Sequence, residues 1–176
     1  MSLLIIVIEA FVMLFELRFL LQSSSADYYH PFTQAILKLT NPVINIPFIR
    51  GMHLRNYYVG GLAIAFIISL GFWIIFGSTI GTPINFNLLI GILMPFKVFG
   101  YLLFMLLIIQ ALTSWLPSTR NISFLMYQIT APITAPVQRI IPPIGMIDIS
   151  LMIIILVLYA INSLCYKLFG ILWAII

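Results

Sequence analysis

The sequence predicts an all-α membrane protein. It reads as a helical bundle of two parallel repeats, with about four transmembrane helices and two short cytoplasmic interfacial amphipathic helices. Three observations carry this reading. The 176 residues are 63% hydrophobic and 7% charged, with a mean hydropathy of +1.20, whereas a soluble domain carries about 25% charged residues. Four apolar stretches are long enough to cross about 30 Å of hydrocarbon. A pattern of apolar, threonine, proline and arginine residues also recurs after 90 positions.

The four stretches are 3–21, 57–76, 98–116 and 149–168. The first holds Glu9, Glu16 and Arg18 and has no basic start, so it reads as a retained helix and not as a signal peptide. A fifth stretch, 84–96, is short and contains Asn85, Asn87 and Pro95. It is either an interfacial or re-entrant piece or an N-terminal extension of the third span kinked at Pro95. The tail 169–176 offers a last helical turn or a segment at the interface. Arg18, Lys38, Arg50, Arg55, Arg120 and Arg139 fall on one side of such a bundle, and Lys97 and Lys167 on the other. The positive-inside rule then makes loops 22–56 and 117–148 cytoplasmic and sets both termini outside.

The recurrence divides the chain into units 1–86 and 87–176, the first degenerate after Arg50. Phe32, Ala35, Ile36, Leu39, Thr40 and Pro42 match Ile122, Leu125, Met126, Ile129, Thr130 and Pro132. The first four of each set lie at i, i+3, i+4 and i+7, one face of a helix. After a slip of one residue, Pro47 and Arg50 match Pro136 and Arg139. Each unit thus reads as span, amphipathic helix, proline turn with arginine, span. Two spans per unit bring both copies in from the same side. Pro31 suits the first turn of one amphipathic helix, and Asn121 or Ser123 can cap the other. These helices either lie in the headgroup plane or plug the bundle from below, and the two are compatible.

The strip 124–148 is the richest part of the chain. Thr130, Pro132, Pro136, Arg139, Pro142, Gly145 and Asp148 follow one another between two apolar runs, and Thr40, Pro42, Pro47 and Arg50 form the earlier copy. Together with Trp115, the run Thr130-Ala-Pro-Ile-Thr-Ala-Pro-Val-Gln-Arg139 and Pro142-Pro-Ile-Gly145-Met-Ile-Asp148 resemble the signature of the YggT (YlmG) family of small membrane proteins. Asp27-Tyr-Tyr-His-Pro31, Lys38-Leu-Thr40-Asn-Pro42 and Pro47-Phe-Ile-Arg50 resemble it too. The first copy departs from that pattern after Arg50, and Gln110 stands where the second copy would hold an equivalent of Arg18. The resemblance implies a protein of the bacterial inner membrane (or of plastids) without established catalysis, read here as non-enzymatic. It also implies a part in assembling or organising the cell envelope or membrane complexes, with a link to osmotic tolerance.

Individual polar residues admit paired readings. Arg50 and Arg139 either bind lipid phosphate or a partner's carboxylates, or snorkel at the boundary. Asp148 precedes the fourth span and suits its N-cap, and a pairing with Arg139 would lock the strip. Glu9 and Asn162 reach about the same depth, roughly 10 Å below the outer surface, and Glu16 and Gln110 match near the inner one. These form two candidate intramembrane polar layers, Glu9–Asn162 and Glu16–Gln110. They act either as interhelical hydrogen bonds worth about 0.6–2 kcal/mol or as a path for protons or ions, as in a small channel or transport component. Gly61, Ala65 and Ser69 form a small-residue face for a neighbouring helix.

Other chemistries find no motif. Cys165 is a lone cysteine, and His30 and His53 lack a second ligand pair. No nucleophile motif or phosphate-cradling loop is present. The expectation is no enzyme, cofactor, metal, nucleic acid or small-molecule substrate. The partners expected are membrane lipid and another membrane protein or a second copy.

Overall fold

The computed structural model describes residues 3–24, 26–46, 51–54, 57–114, 119–141 and 148–176. Seven helices run through these residues. They are α1 (Leu3–Ser23), α2 (Pro31–Ile44), α3 (Gly60–Thr79), α4 (Ile84–Ser114), α5 (Arg120–Ile140), α6 (Ile149–Phe169) and α7 (Ile171–Ile175). A two-residue antiparallel pair that the sequence did not predict, β1 (His53–Leu54) and β2 (Tyr57–Tyr58), precedes α3. Helices α3, α4 and α6 are long and apolar enough to cross a membrane. α1 has similar length but carries Glu9, Glu16 and Arg18.

Two hydrophobic clusters fix the packing. In one, Ile5, Val12 and Phe15 of α1 meet Ile64, Ala65 and Trp73 of α3 and Ile90, Met94 and Val98 of α4. In the other, Leu17, Leu20 and Leu21 meet Leu102, Leu103 and Leu106 of α4. α1 and α4 therefore run in the same direction, with α3 antiparallel to both. Ile36 of α2 and Leu125, Met126 and Ile129 of α5 join the second cluster. Both short amphipathic helices thus sit at one end of the bundle, where Gln128 Oε1 also accepts from the Asp27 backbone N–H at 3.1 Å.

The segment 84–96 is the N-terminal extension of a single helix of 31 residues, with Pro95 inside it. Proline at 95 has no N–H for the Gly91 carbonyl, which in an apolar interior would be left unpaired. The Ser69 hydroxyl of α3 donates to that carbonyl at 2.7 Å. Small residues on both α3 and α4 make the approach possible. A Cβ at Gly91 would come within 3.0 Å of Leu70, and one at Gly61 within 2.6 Å of the Phe15 carbonyl oxygen of α1. The small-residue face of Gly61, Ala65 and Ser69 is buried against these two neighbours.

Over Pro132, Pro136 and Arg139 the second strip is helical, contrary to the proline turn expected there, while the turn expected at Pro47 and Arg50 lies outside the described residues. α5 continues through Pro132 and Pro136 to Ile140, and α2 through Pro42 to Ile44. Pro132 and Pro136 stand four residues apart on the exposed side of α5. Their ring clashes and missing hydrogen bonds fall on one exposed face while the opposite face holds the helix to the bundle. α5 starts at Arg120, earlier than a cap at Asn121 or Ser123 would allow, and its N-cap Thr119 makes no side-chain cap bond. The Thr119 hydroxyl instead donates to the Thr113 carbonyl at 2.8 Å. Pro31 does open α2, with His30 Nδ1 accepting from the Phe32 N–H. After Gly170, at φ +53, the tail folds back as α7 and buries Trp173 and Ile176 in the first cluster. Pro47, Arg50, Arg55, Trp115, Pro142 and Gly145 lie outside the described residues.

Replacing Ser69 by Ala is expected to destabilise the protein by about 1–3 kcal/mol, because it strands the Gly91 carbonyl. Pro95→Ala restores a donor to that carbonyl, so in the double variant Ser69→Ala should be nearly silent. Thermal unfolding of the four proteins in detergent measures the coupling.

Candidate functional site

The polar side chains gather where α2 and α5 meet the long helices. Near the end of α1, buried Arg18 reaches across to α2. Its Nη1 donates to Thr40 Oγ1 at 2.5 Å, Asn41 Oδ1 at 2.8 Å and the Leu37 carbonyl at 3.2 Å, and its Nε to Gln22 Oε1 at 3.4 Å. The Thr40 hydroxyl spends its own proton on the Ile36 carbonyl at 2.7 Å. Its hydrogen-bond partners are neutral oxygens, so the guanidinium is solvated by the protein and not paired through these bonds with a carboxylate. A hydrogen bond to a charged group is worth about 1.5–3 kcal/mol.

A similar arrangement recurs near the end of α4. The Thr130 hydroxyl of α5 lies 2.6 Å from Gln110 Oε1 and 2.9 Å from the Met126 carbonyl. Thr130 and Thr134 are buried, and the Thr134 hydroxyl donates to the Thr130 carbonyl at 3.3 Å. In both places a threonine two residues before a proline bonds back four residues and also meets a polar side chain from a long helix. Back-bonding of this kind bends helices, and here it sits beside Pro42 and Pro132, where the ladder is already interrupted.

The expected layers form differently. Gln110 pairs with Thr130 and not with Glu16. The clusters set Leu17–Leu21 beside Leu102–Leu106, which leaves Glu16 more than a helical turn away from Gln110. Glu16 is fully buried, and among the described residues neither carboxyl oxygen has a hydrogen-bond partner. Asn162 is not joined directly to Glu9, since its Oδ1 accepts from Trp173 Nε1 at 2.8 Å. Lys97 donates to the Trp173 carbonyl at 2.6 Å and also to the Ile176 carbonyl, and it interacts electrostatically with Glu9. The outer layer therefore runs Glu9, Lys97, Trp173, Asn162. Depth counting treats helices as free rods and could not foresee that α7 folds back between them.

Asp148 caps α6, its Oδ1 accepting from the Ser150 N–H at 3.0 Å. The partner that joins it to α5 is Gln138, whose Nε2 donates to Asp148 Oδ2 at 2.7 Å. Arg139, the expected partner, is exposed. Helical phase explains the exchange, since neighbouring residues of α5 point about 100° apart and only one of them faces α6. Lys38 and Arg139 thus stand on the outer faces of α2 and α5. They are flanked there by exposed Leu39 and Val43 on α2, and by exposed Ile140 on α5. Further along the outer surface of α5, Phe124 and Tyr127 are exposed as well.

Comparison with known proteins gives the family. The CCB3/YggT family model matches residues 86–169. A Haemophilus influenzae protein is 34% identical over 90% of this chain and 87% of its own length. The YggT protein of Escherichia coli K12 is 34% identical over 89% of this chain and 83% of its own. The chain belongs to the YggT family. A Vibrio alginolyticus relative is 33% identical over 94% of this chain and 92% of its own, and none of these names carries an activity. No solved structure matches the chain.

Arg18 and Lys97 are the buried cations that sequence reasoning undervalues, since one stands near a helix end and the other against the charge bias. The one available signal was their position inside otherwise apolar runs. If the Arg18 anchor is a neutral-oxygen hydrogen-bond site, Arg18→Gln should retain most of the stability, because it rebuilds the Gln110–Thr130 pair. Arg18→Met should lose about 2–4 kcal/mol by stranding buried Thr40 and Asn41 acceptors. Chemical or thermal denaturation in detergent separates the two.

Proposed function

We propose that this protein is a non-enzymatic scaffold or assembly factor of the bacterial inner membrane. It would organise envelope components or membrane complexes, with the link to osmotic tolerance that its family resemblance implies. In this reading α1 is a fourth span, the units 1–86 and 87–176 are parallel repeats, and α2 and α5 lie at the cytoplasmic surface with both termini outside. The matching threonine anchors at Arg18–Thr40 and Gln110–Thr130 support the repeat, as does the family match over 86–169.

One observation carries the function: two amphipathic helices at one end of the bundle keep outer faces that combine a basic residue with exposed apolar ones. Lys38 with Leu39 and Val43, and Arg139 with Ile140, are placed to meet lipid headgroups or the acidic surface of a membrane partner. The buried polar groups nearby are engaged in holding the helices. In a Lys38→Gln, Arg139→Gln protein, capture of co-purifying membrane proteins and of anionic lipid is expected to fall several-fold at unchanged thermal stability. Asp148→Asn, by contrast, should lower stability by weakening the α6 cap. Unchanged capture in the double variant counts against the scaffold. Cysteines placed at 38 and 139 should both be labelled from the cytoplasmic side, and labelling from opposite sides removes the topology.

Glu16, fully buried and without a hydrogen-bond partner among the described residues, favours a second reading, a small ion or proton channel component. It predicts that proteoliposome flux falls in a Glu9→Gln, Glu16→Gln protein. Equal flux in variant and wild type eliminates it.

A further inference from the structure

Along the outer surface of α6, Met152, Leu156, Tyr159, Ser163 and Tyr166 recur at i, i+4, i+7, i+11 and i+14. This alternation of three and four is the spacing of a helix-pairing seam, kept here over two heptads. All five residues are exposed. On the neighbouring exposed flank stand Val157, Ile161, Leu164 and Leu168, which are wholly aliphatic. Both flanks face away from the bundle, and the seam is the one that carries hydroxyls.

Those hydroxyls lie deep. α6 begins where Asp148 caps it, at the cytoplasmic edge of the bundle as proposed above. At about 1.5 Å per residue from Ile149, Tyr159 stands roughly 15 Å and Ser163 roughly 21 Å into about 30 Å of hydrocarbon. The packing gives the same depth. Leu21, near the cytoplasmic end of α1, clusters with Leu106, and Leu151 with the adjoining Leu107; Tyr159 lies about two turns further in. Tyr159 is 71% exposed, and among the described residues neither its hydroxyl nor that of Ser163 has a hydrogen-bond partner. Hydroxyls on the other long helices turn back, as Ser78, Thr113 and Ser114 do onto carbonyls of their own helix. Hydrocarbon offers neither donor nor acceptor, so a polar partner at this depth has to be protein.

We propose that α6 pairs with α6 of a second copy of this chain through the seam. The inference rests on the bilayer placement proposed above. Copies inserted the same way are related by a two-fold axis along the membrane normal, which makes the pairing parallel and isologous. Parallel heptads set like layers opposite one another, so Tyr159 meets Tyr159 and Ser163 meets Ser163 at equal depth. A hydroxyl both donates and accepts, and each layer closes on itself. A different protein would have to present polar groups at the same two depths, whereas a second copy does so by symmetry. The small Ser163 side chain lets the two backbones approach. Tyr159 also stands at the rim of the apolar groove between α4, α6 and α7, so its ring is open on the side from which a partner comes. Lys167 lies off the seam near the outer boundary, where a lysine reaches headgroups. The pairing leaves the basic faces of α2 and α5 free and gives each particle two sets of them.

The test is made on the full chain in proteoliposomes. In a Cys165→Ala background, Leu156→Cys and Ser163→Cys proteins are expected to cross-link into dimers several-fold faster than Ile161→Cys and Leu164→Cys proteins, whose cysteines lie at similar depth on the aliphatic flank. Energy transfer between donor- and acceptor-labelled copies, followed as lipid dilutes the protein, measures the dimer constant. One interhelical hydrogen bond in a membrane changes such a constant about threefold to thirtyfold. Tyr159→Phe with Ser163→Ala should therefore weaken the dimer about tenfold, and thermal stability should stay unchanged because both residues are exposed. A wild type that stays monomeric in lipid overturns the inference. So do equal cross-linking on the two flanks and a dimer constant that the Tyr159→Phe, Ser163→Ala protein leaves untouched. The Lys38→Gln, Arg139→Gln protein keeps the seam, so it should dimerise as wild type does even where partner capture is lost, and dimerisation lost there alone also overturns this assignment.

Discussion

The fold depends on a carbonyl that its own helix cannot satisfy. Pro95 removes the donor for Gly91 in the middle of the longest helix, and the Ser69 hydroxyl supplies a replacement from α3. An unpaired carbonyl in an apolar interior costs about 1–3 kcal/mol, comparable to a sizeable share of a domain's net stability. The hydroxyl reaches its target only because small residues line both α3 and α4, which lets α3 lie close to α4 and, at Gly61, to α1. Close packing and hydrogen bonding therefore support one another at this site. With α4 continuous, its two halves serve two clusters, one closed by α3 and α7 and the other by α2 and α5.

The same economy governs the two amphipathic helices. A proline inside a helix costs about 3 kcal/mol or more, yet α2 holds one and α5 two. Exposed prolines disturb the ladder on the side where solvent or headgroups can answer the freed carbonyls. On the other side Ile36, Leu125, Met126 and Ile129 are buried, and Thr40 and Thr130 each take a polar partner from a long helix. The two joints run in opposite senses: the Arg18 guanidinium donates to the Thr40 oxygen, whereas the Gln110 amide oxygen accepts from the Thr130 hydroxyl. A threonine hydroxyl can both donate and accept, which lets an arginine at one joint and a glutamine at the other hold similar contacts.

Much of this was legible in composition and spacing, and the exceptions share a cause. The apolar stretches gave the long helices, the small-residue face of α3 was visible as Gly61, Ala65 and Ser69, and Asp148 was identifiable as a cap from its place before an apolar run. The i, i+3, i+4, i+7 set on α5 marks its buried face at Leu125, Met126 and Ile129, with Ile122 exposed, whereas on α2 Phe32, Ala35 and Leu39 are exposed and the buried face runs through Thr33, Ile36, Leu37, Thr40 and Ile44. Proline misled the reading at Pro132 and Pro136, because local propensity cannot tell which face of a helix will be exposed. The polar layers failed for a related reason. Depth along a helix is readable from residue count, whereas lateral neighbours depend on register and on a tail that turns back at Gly170 to set Trp173 between Lys97 and Asn162. Lys97 looked like an exception to a charge rule because its partners are backbone carbonyls 76 and 79 residues away, which no local pattern announces.

Glu16 sharpens the contrast between the two functional readings. A conduction path needs successive polar groups within reach of one another, and Gln110 is the amide toward which Glu16 would hand a proton or ion. That amide is engaged by Thr130, and Leu17, Leu20, Leu103 and Leu106 pack in the cluster through which such a path would pass. To complete the path, α4 would have to slide along α1 and Gln110 would have to release α5. Conduction and anchoring thus make opposite demands on one side chain. In the arrangement observed the anchor is made, which leaves the unspent chemistry of the molecule on its outer faces, at Lys38 and Arg139 on α2 and α5 and at Tyr159 and Ser163 on α6.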